Sequence, residues 1–368
     1  MGTSWVQLSE TLTGRAKEKR IPLMGQFELT SRCNLQCKMC YVNNSASDIQ
    51  AISRERSAKE WIQLAEDAGR AGMLYLLLTG GEVFLRQDFR EIYGEISLMG
   101  FNTHIYTNGT LITPEIASWL GQRPPSQIEI SLYGMSPDTY GKVSGFTWGY
   151  ERALRGIDLL RSQGINLKLR MTLVQGNIHD SERFAEFAQE RGLEFGYVKY
   201  ISPRREGCNT YPEAERLSPE LLAEFEMNLD KHFGFEEPKQ FEHFALGKAL
   251  DASPFDEWNV ESCDPFYCTA GKCSFWSTWD GKLTPCSLLD SPAAFPFENG
   301  FLKAWSALQA LCSSIPVCGK CSECPLLQEC WTCPARLKNE TGFFDKPAPY
   351  LCELAQRIHG NLKAAQKL

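Results

Sequence analysis

Cysteine placement constrains this chain more than any other feature. Of fifteen cysteines, three fall within eight residues (Cys33, Cys37, Cys40), Cys208 stands alone, and eleven crowd between Cys263 and Cys352. A chain using cysteine as a small core hydrophobe would scatter it. In a reducing cytosol such clusters point to metal or redox chemistry rather than to disulfides. The cytoplasm is the expected location, because the first 20 residues lack the apolar centre of a signal peptide. No run of 18 apolar residues is present, so no membrane span is expected. With 38 Lys and Arg against 45 Asp and Glu, a net charge of −7, the chain offers no basic stretch for nucleic acid.

Ahead of the second cysteine field, the sequence alternates between short apolar runs and helical periods. Strands are expected at Gln26–Thr30, Leu74–Thr79, Thr103–Thr107, Ile128–Leu132, Leu167–Val174 and Phe195–Ile201. Gln87–Met99 puts Phe89, Ile92, Tyr93, Ile96 and Met99 on one helical face. Thr113 followed by Pro and Glu is a helix start, and Arg152–Gln163, Ser181–Arg191 and Pro219–His232 read as further helices. This alternation predicts an α/β fold, a parallel sheet covered by helices. Six units fall short of a closed eightfold barrel, so a partial (β/α)6 barrel is expected. The organisation read from the 368 residues is a 1–24 extension, a 25–235 barrel, a 236–262 bridge, a 263–355 loop-rich domain and a 356–368 tail. Helical patterning is sparse after Cys263, and metal ligation would supply the missing order.

The first expected strand runs into Ser31-Arg-Cys33-Asn-Leu-Gln-Cys37-Lys-Met-Cys40-Tyr41, a C-x3-C-x2-C spacing. Three thiolates so close can hold three irons of a 4Fe–4S cube, which normally takes four. The remaining iron is then open to a small chelating molecule, and an open position marks a catalytic metal centre. A zinc knuckle is the bland alternative.

Cys33, Cys37, Cys40 and Tyr41 resemble the signature of the radical S-adenosylmethionine (SAM) enzymes. Thr79-Gly80-Gly81-Glu82 resembles that family's GGE motif, Thr107-Asn108-Gly109 its T-N-G segment, and Ser131-Leu-Tyr133-Gly134 its S-L-D-G segment with Tyr for Asp. All three follow strands, where α/β sheets bind ligands. The resemblance implies a SAM-binding 4Fe–4S cluster on the three cysteines and a 5′-deoxyadenosyl radical formed by reductive SAM cleavage. It also implies SAM contacts from the Gly80-Gly81 backbone, supported by Glu82, and from Asn108 and Ser131. Arg152 is either a partner of the SAM carboxylate or a solvated helix residue.

Cys268-x4-Cys273, then Gly281-x4-Cys286, then Cys321-x2-Cys324-x5-Cys330-x2-Cys333 and Cys352 resemble a SPASM domain, with its last close pair one residue tighter than usual. That resemblance implies two auxiliary 4Fe–4S clusters, one on Cys268, Cys273, Cys286 and Cys333, the other on Cys321, Cys324, Cys330 and Cys352. Cys263 and Cys318 stand close enough in sequence to substitute, and structural zinc remains the alternative for this region taken alone. Cys208 is a surplus loop thiol or, as in some peptide epimerases of the superfamily, a hydrogen-atom donor. Arg204 and Arg205 beside it suit an acidic peptide or are simply solvated.

The branch mostly modifies peptides and proteins, so the expected activity is cross-linking, epimerisation or oxidation of such a substrate. Flavodoxin or ferredoxin would be the external electron donor. About 25 residues precede the first strand, too few for a leader-binding domain of ~80 residues. A separate leader-peptide-binding protein or a leaderless substrate is therefore expected. Ser287 follows Cys286 where sulfatase-maturating enzymes carry an Asp base, which weighs against sulfatase maturation. The alternatives are a radical SAM enzyme acting on a small molecule such as a tetrapyrrole, and a metal-stabilised binding or electron-carrier protein.

Overall fold

The computed structural model describes residues 5–42, 44–203, 214–233 and 265–365. Cys208, Cys263, Arg204, Arg205 and the expected 236–262 bridge lie outside the described residues. Six parallel strands form the barrel wall: β1 (Met24–Glu28), β2 (Tyr75–Thr79), β3 (Asn102–Thr107), β4 (Gln127–Ser131), β5 (Leu167–Thr172) and β6 (Glu194–Val198). Neighbours in sequence are neighbours in the sheet, each pair parallel. Such pairing needs crossovers, and helices supply them. In chain order the helices of this half are α1 (Trp5–Lys19), α2 (Ile49–Arg54), α3 (Ala58–Arg70), α4 (Phe89–Ile96), α5 (Pro114–Gln122), α6 (Pro137–Ser144), α7 (Gly149–Ser162), α8 (Ser181–Glu190) and α9 (Pro219–Phe233).

Strand alternation separates two environments. In β4, Ile128 and Ile130 are fully buried in the core beneath the helices, whereas Glu129 and Ser131 line the barrel cavity. In β5, Leu167, Leu169 and Met171 enter the same core while Arg170 and Thr172 face the cavity. The sheet is therefore apolar outside and polar inside. On that polar side Arg170 donates two hydrogen bonds to Glu129, 3.0 Å from Nε and 2.9 Å from Nη2.

The cysteine-rich half is built onto this sheet. Strand β7 (Ser274–Ser277) pairs parallel with β1, and β8 (Leu283–Thr284) returns antiparallel to it, giving the order β8-β7-β1-β2-β3-β4-β5-β6. Trp276 on β7 donates its indole N–H to buried Glu28 on β1 at 3.0 Å. The helices of eight residues or more that follow are α10 (Phe301–Ser313), α11 (Pro334–Thr341) and α12 (Pro349–Ala365), so the stretch expected to be sparse in helix holds substantial ones. Phe301, Ala304, Trp305, Leu308 and Cys312 are the buried stripe of α10, a helical spacing that packs against the outer face of β7 through Phe275. Helix α12 runs across the 355/356 boundary placed from sequence. Among the described residues no helix is long and apolar enough to cross a membrane.

Candidate active site

Where β1 ends, backbone from β2 grips the chain. Gly81 N–H donates to the Thr30 carbonyl at 2.7 Å and Glu82 N–H to the Arg32 carbonyl at 2.8 Å. This approach is the physical reason for the glycine pair. A Cβ on Gly80 would sit 2.4 Å from Thr30 O, and one on Gly81 would sit 2.3 Å from Arg32 O. Arg32 is then fixed by Glu55, just past α2, through bonds of 2.7 Å from Nε and 3.0 Å from Nη2. Thr30 also donates to Glu55. Arg86 closes the clamp by donating to the Leu29 carbonyl at 2.7 Å. Glu55 and Arg86 were not foreseen from sequence, because nothing in their spacing distinguishes them from surface charges.

Glu82 ties a second motif to the same loop. Its carboxylate accepts from Thr107 Oγ1 (2.8 Å), Asn108 N (2.8 Å) and Phe84 N (3.1 Å). Full burial nevertheless pushes its pKa up to about 7, against the pull of those three bonds. Asn108 in turn donates to Asn34 Oδ1 at 3.0 Å and points Nδ2 at Cys33 Sγ, 3.7 Å away. The other side of the loop rests on α6, where Gln36 N–H donates to the Ser144 carbonyl at 2.8 Å.

Cys33, Cys37 and Cys40 consequently face one cavity of about 360 Å³, which Tyr41, Gly80, Gly81, Asn108 and Ser131 also line. Apolar Leu35, Met39, Val143, Val174 and Ile201 pack around the thiols. Burial, with Glu82 and Cys40 adding to it, pushes Cys33 up to about 12, and burial raises Cys37 well above its ordinary value. A hydrogen bond from Tyr133 pulls Cys37 the other way. Bare thiols here hold their protons, so ligation must exchange those protons for metal. Arg152 is not among the residues around this cavity. It is exposed on α7, with its guanidinium 5.3 Å from the Phe146 ring centroid.

The opposite wall of the cavity belongs to the second cysteine field, through Cys268, Cys286 and Cys333. These thiols feel one another: burial first, then Cys333, raises Cys268, and burial, Cys333 and Cys268 raise Cys286. Cys273 is placed differently. It directly precedes β7, whose Ser274 and Trp276 face the cavity, and its thiol is fully buried against Ala16, Leu23, Met24 and Tyr75. A second set lies outside the cavity. Burial together with Cys352 and Cys324 pushes Cys330 up to about 11, and Cys321 is raised to about 12 by burial, Cys318 and Cys330. Cys312 packs under the turn at Gly271, where a Cβ would stand 2.6 Å from its sulfur. Among the described residues no three His, Cys, Asp or Glu side chains group around one ion position. A 4Fe–4S cube draws its thiolates from four separate irons, and all-thiol donor sets suit it.

Residues 27–188 match the family model of the radical SAM superfamily. The AdoMet-dependent heme synthase of Methanosarcina barkeri (strain Fusaro / DSM 804) is 26% identical over 346 residues, 89% of this chain and 96% of that one. The PqqA peptide cyclase of Ruegeria pomeroyi is 30% identical over 192 residues, and this match spans 51% of the chain and 50% of the relative. The solved structure of native anSMEcpe with bound AdoMet and Cp18Cys peptide has the same fold, with a TM-score of 0.66 at 16% identity, covering 94% of this chain and 100% of that one. A 4Fe–4S cluster and SAM are the cofactors of that superfamily. Residues 27–188 are a radical SAM domain, and the chain as a whole has the fold of anSMEcpe.

Proposed function

We propose that this enzyme modifies a peptide or protein held between its two halves, and that it carries two auxiliary clusters beside the SAM-binding one. The observation supporting this is that Cys33, Cys37 and Cys40 share one cavity with Cys268, Cys286 and Cys333. The PqqA peptide cyclase, a relative whose name specifies a peptide, matches about half of this chain.

Cys33, Cys37 and Cys40 are the ligands of the SAM-binding cluster. Bound there, the cluster and SAM supply one-electron cleavage of a sulfonium bond and a radical that abstracts hydrogen. The Gly80-Gly81 backbone, Asn108 and Ser131 orient the SAM molecule, and Tyr41 covers the loop. Glu82 acts through Asn108, holding it against Cys33. Apolar Leu35, Met39 and Val174 exclude water from the thiols. Cys268, Cys286 and Cys333 hold one auxiliary cluster, and Cys321, Cys324, Cys330 and Cys352 hold the other. An external flavodoxin or ferredoxin delivers the electron, and a separate protein presents the peptide leader where the substrate has one.

Anaerobic reconstitution tests this reading. Three cubes require ~12 Fe per chain. Reduced holoenzyme given SAM should release 5′-deoxyadenosine, and a Cys37→Ala variant should not. A mass change in a candidate peptide, dependent on SAM, identifies the substrate class. The heme synthase match along nearly the whole chain favours a second reading, in which the substrate is a tetrapyrrole. A porphyrin that binds with an altered Soret band and changes mass in a SAM-dependent reaction would establish that reading over the peptide one.

A further inference from the structure

A buried cation lies between the two C-terminal thiol sets. Arg336, on the first turn of α11, is 6% exposed and lines the cavity. Its backbone N–H donates to Cys333 Sγ at 3.4 Å. Its guanidinium stands 4.5 Å from the Tyr200 ring centroid and 5.9 Å from that of Trp331. From there Nη1 donates to the Trp331 carbonyl at 2.6 Å. Trp331 directly follows Cys330, so this bond fixes the guanidinium beside the Cys330 backbone, and the charge favours the Cys330 thiolate.

Arginine keeps its charge at any working pH. Burying it is costly, and an apolar chain of similar length would brace Tyr200 and Trp331 as well. A fixed charge in a low-dielectric site acts strongly on any neighbour whose own charge changes. A cluster accepting one electron gains one unit of negative charge, with no bond made and no proton moved. A nearby cation stabilises that reduced form.

We propose that Arg336 is a positioning residue for electron flow, raising the reduction potential of the auxiliary centre built on Cys321, Cys324, Cys330 and Cys352. This rests on the reading of that centre as an iron–sulfur cluster. Through its tether at Trp331 the same side chain couples the cavity wall to the centre outside it.

The test is an EPR-monitored redox titration of reconstituted holoenzyme in the wild type, Arg336→Gln and Arg336→Lys. The midpoint of the auxiliary cluster on Cys321, Cys324, Cys330 and Cys352 should move to more negative potential in Arg336→Gln, by more than that of the other auxiliary cluster, and return most of the way in Arg336→Lys. The SAM-binding cluster, recognised by the change in its signal on adding SAM, should keep its midpoint in all three. Arg336→Met, which retains the packed stem without the charge, gives the same reading if the Gln variant loads poorly. Full iron with both auxiliary midpoints unmoved overturns the role of Arg336 alone, as does an equal shift of all three clusters. A wild type with iron for a single cube and no auxiliary signal overturns the cluster reading, and the proposal with it.

Discussion

The contact between the Gly80-Gly81 turn and the end of β1 predicts that one methyl group at position 81 is enough to disable the enzyme. In Gly81→Ala the new Cβ meets three backbone atoms, Arg32 O at 2.3 Å, Arg32 C at 2.6 Å and Ser31 O at 2.8 Å. Backbone cannot swing aside as a flexible side chain does, so the turn itself must retreat. Retreat breaks the bonds from Gly81 N to Thr30 O (2.7 Å) and from Glu82 N to Arg32 O (2.8 Å). Each lost bond costs about 1 kcal/mol, and overpacking adds about 1–3 kcal/mol. A loss of roughly 3 kcal/mol or more is therefore expected. The control is Gly94→Ala. Gly94 lies within α4 with nothing inside 4 Å of an added Cβ, so removing a helical glycine there should stabilise by up to about 1 kcal/mol. Anaerobic urea denaturation followed by circular dichroism gives the stabilities, and SAM binding with iron content gives the function. Gly81→Ala should lower the unfolding midpoint and lose SAM binding, while Gly94→Ala keeps both. A Gly81→Ala protein with wild-type midpoint and wild-type SAM affinity would refute the clamp.

Two further outcomes follow from buried groups. Cys273→Val should retain the full iron complement and both auxiliary EPR signals, because the Cys273 thiol packs against Ala16, Leu23, Met24 and Tyr75 rather than facing the cavity; loss of about four Fe per chain would make it a ligand. Glu82 predicts a pH dependence. Its folded pKa of about 7 lies above the ordinary 4.5, so its proton-linked stabilisation is complete below about 4.5 and is lost as pH rises through about 7, up to about 3 kcal/mol in all. Comparing unfolding free energies between pH 5 and 8 should show this falling component in the wild type and not in Glu82→Gln, and identical slopes would show that Glu82 is ionised throughout.

The sequence was most readable where one strand ends at one motif. Expected strand positions fall within a few residues of β1 to β6 because each strand is a short apolar run between turn signals. Ser131 and Asn108 reach the cavity because strand ends share one face of the sheet. The polar barrel interior was also written in the alternation of Gln127-Ile-Glu-Ile-Ser131 and Leu167-Lys-Leu-Arg-Met-Thr172. Some missed features had visible signals. Ser57-Ala-Lys-Glu60 is a complete capping box opening α3, and the α10 stripe has helical spacing despite its cysteine-rich surroundings. Other features had none. That β7 adds to β1 rests on a pairing between residues about 250 apart, and no local pattern records such a partner. The choice of thiols is the sharpest case. Sequence spacing treats Cys268 and Cys273 alike, five residues apart, yet the turn through Gly271 (φ +67°) reverses the chain between them. One thiol is thereby directed to the cavity and the other beneath α1. Proximity along the chain brings cysteines to one neighbourhood, but the turn between them decides which thiol faces the cavity.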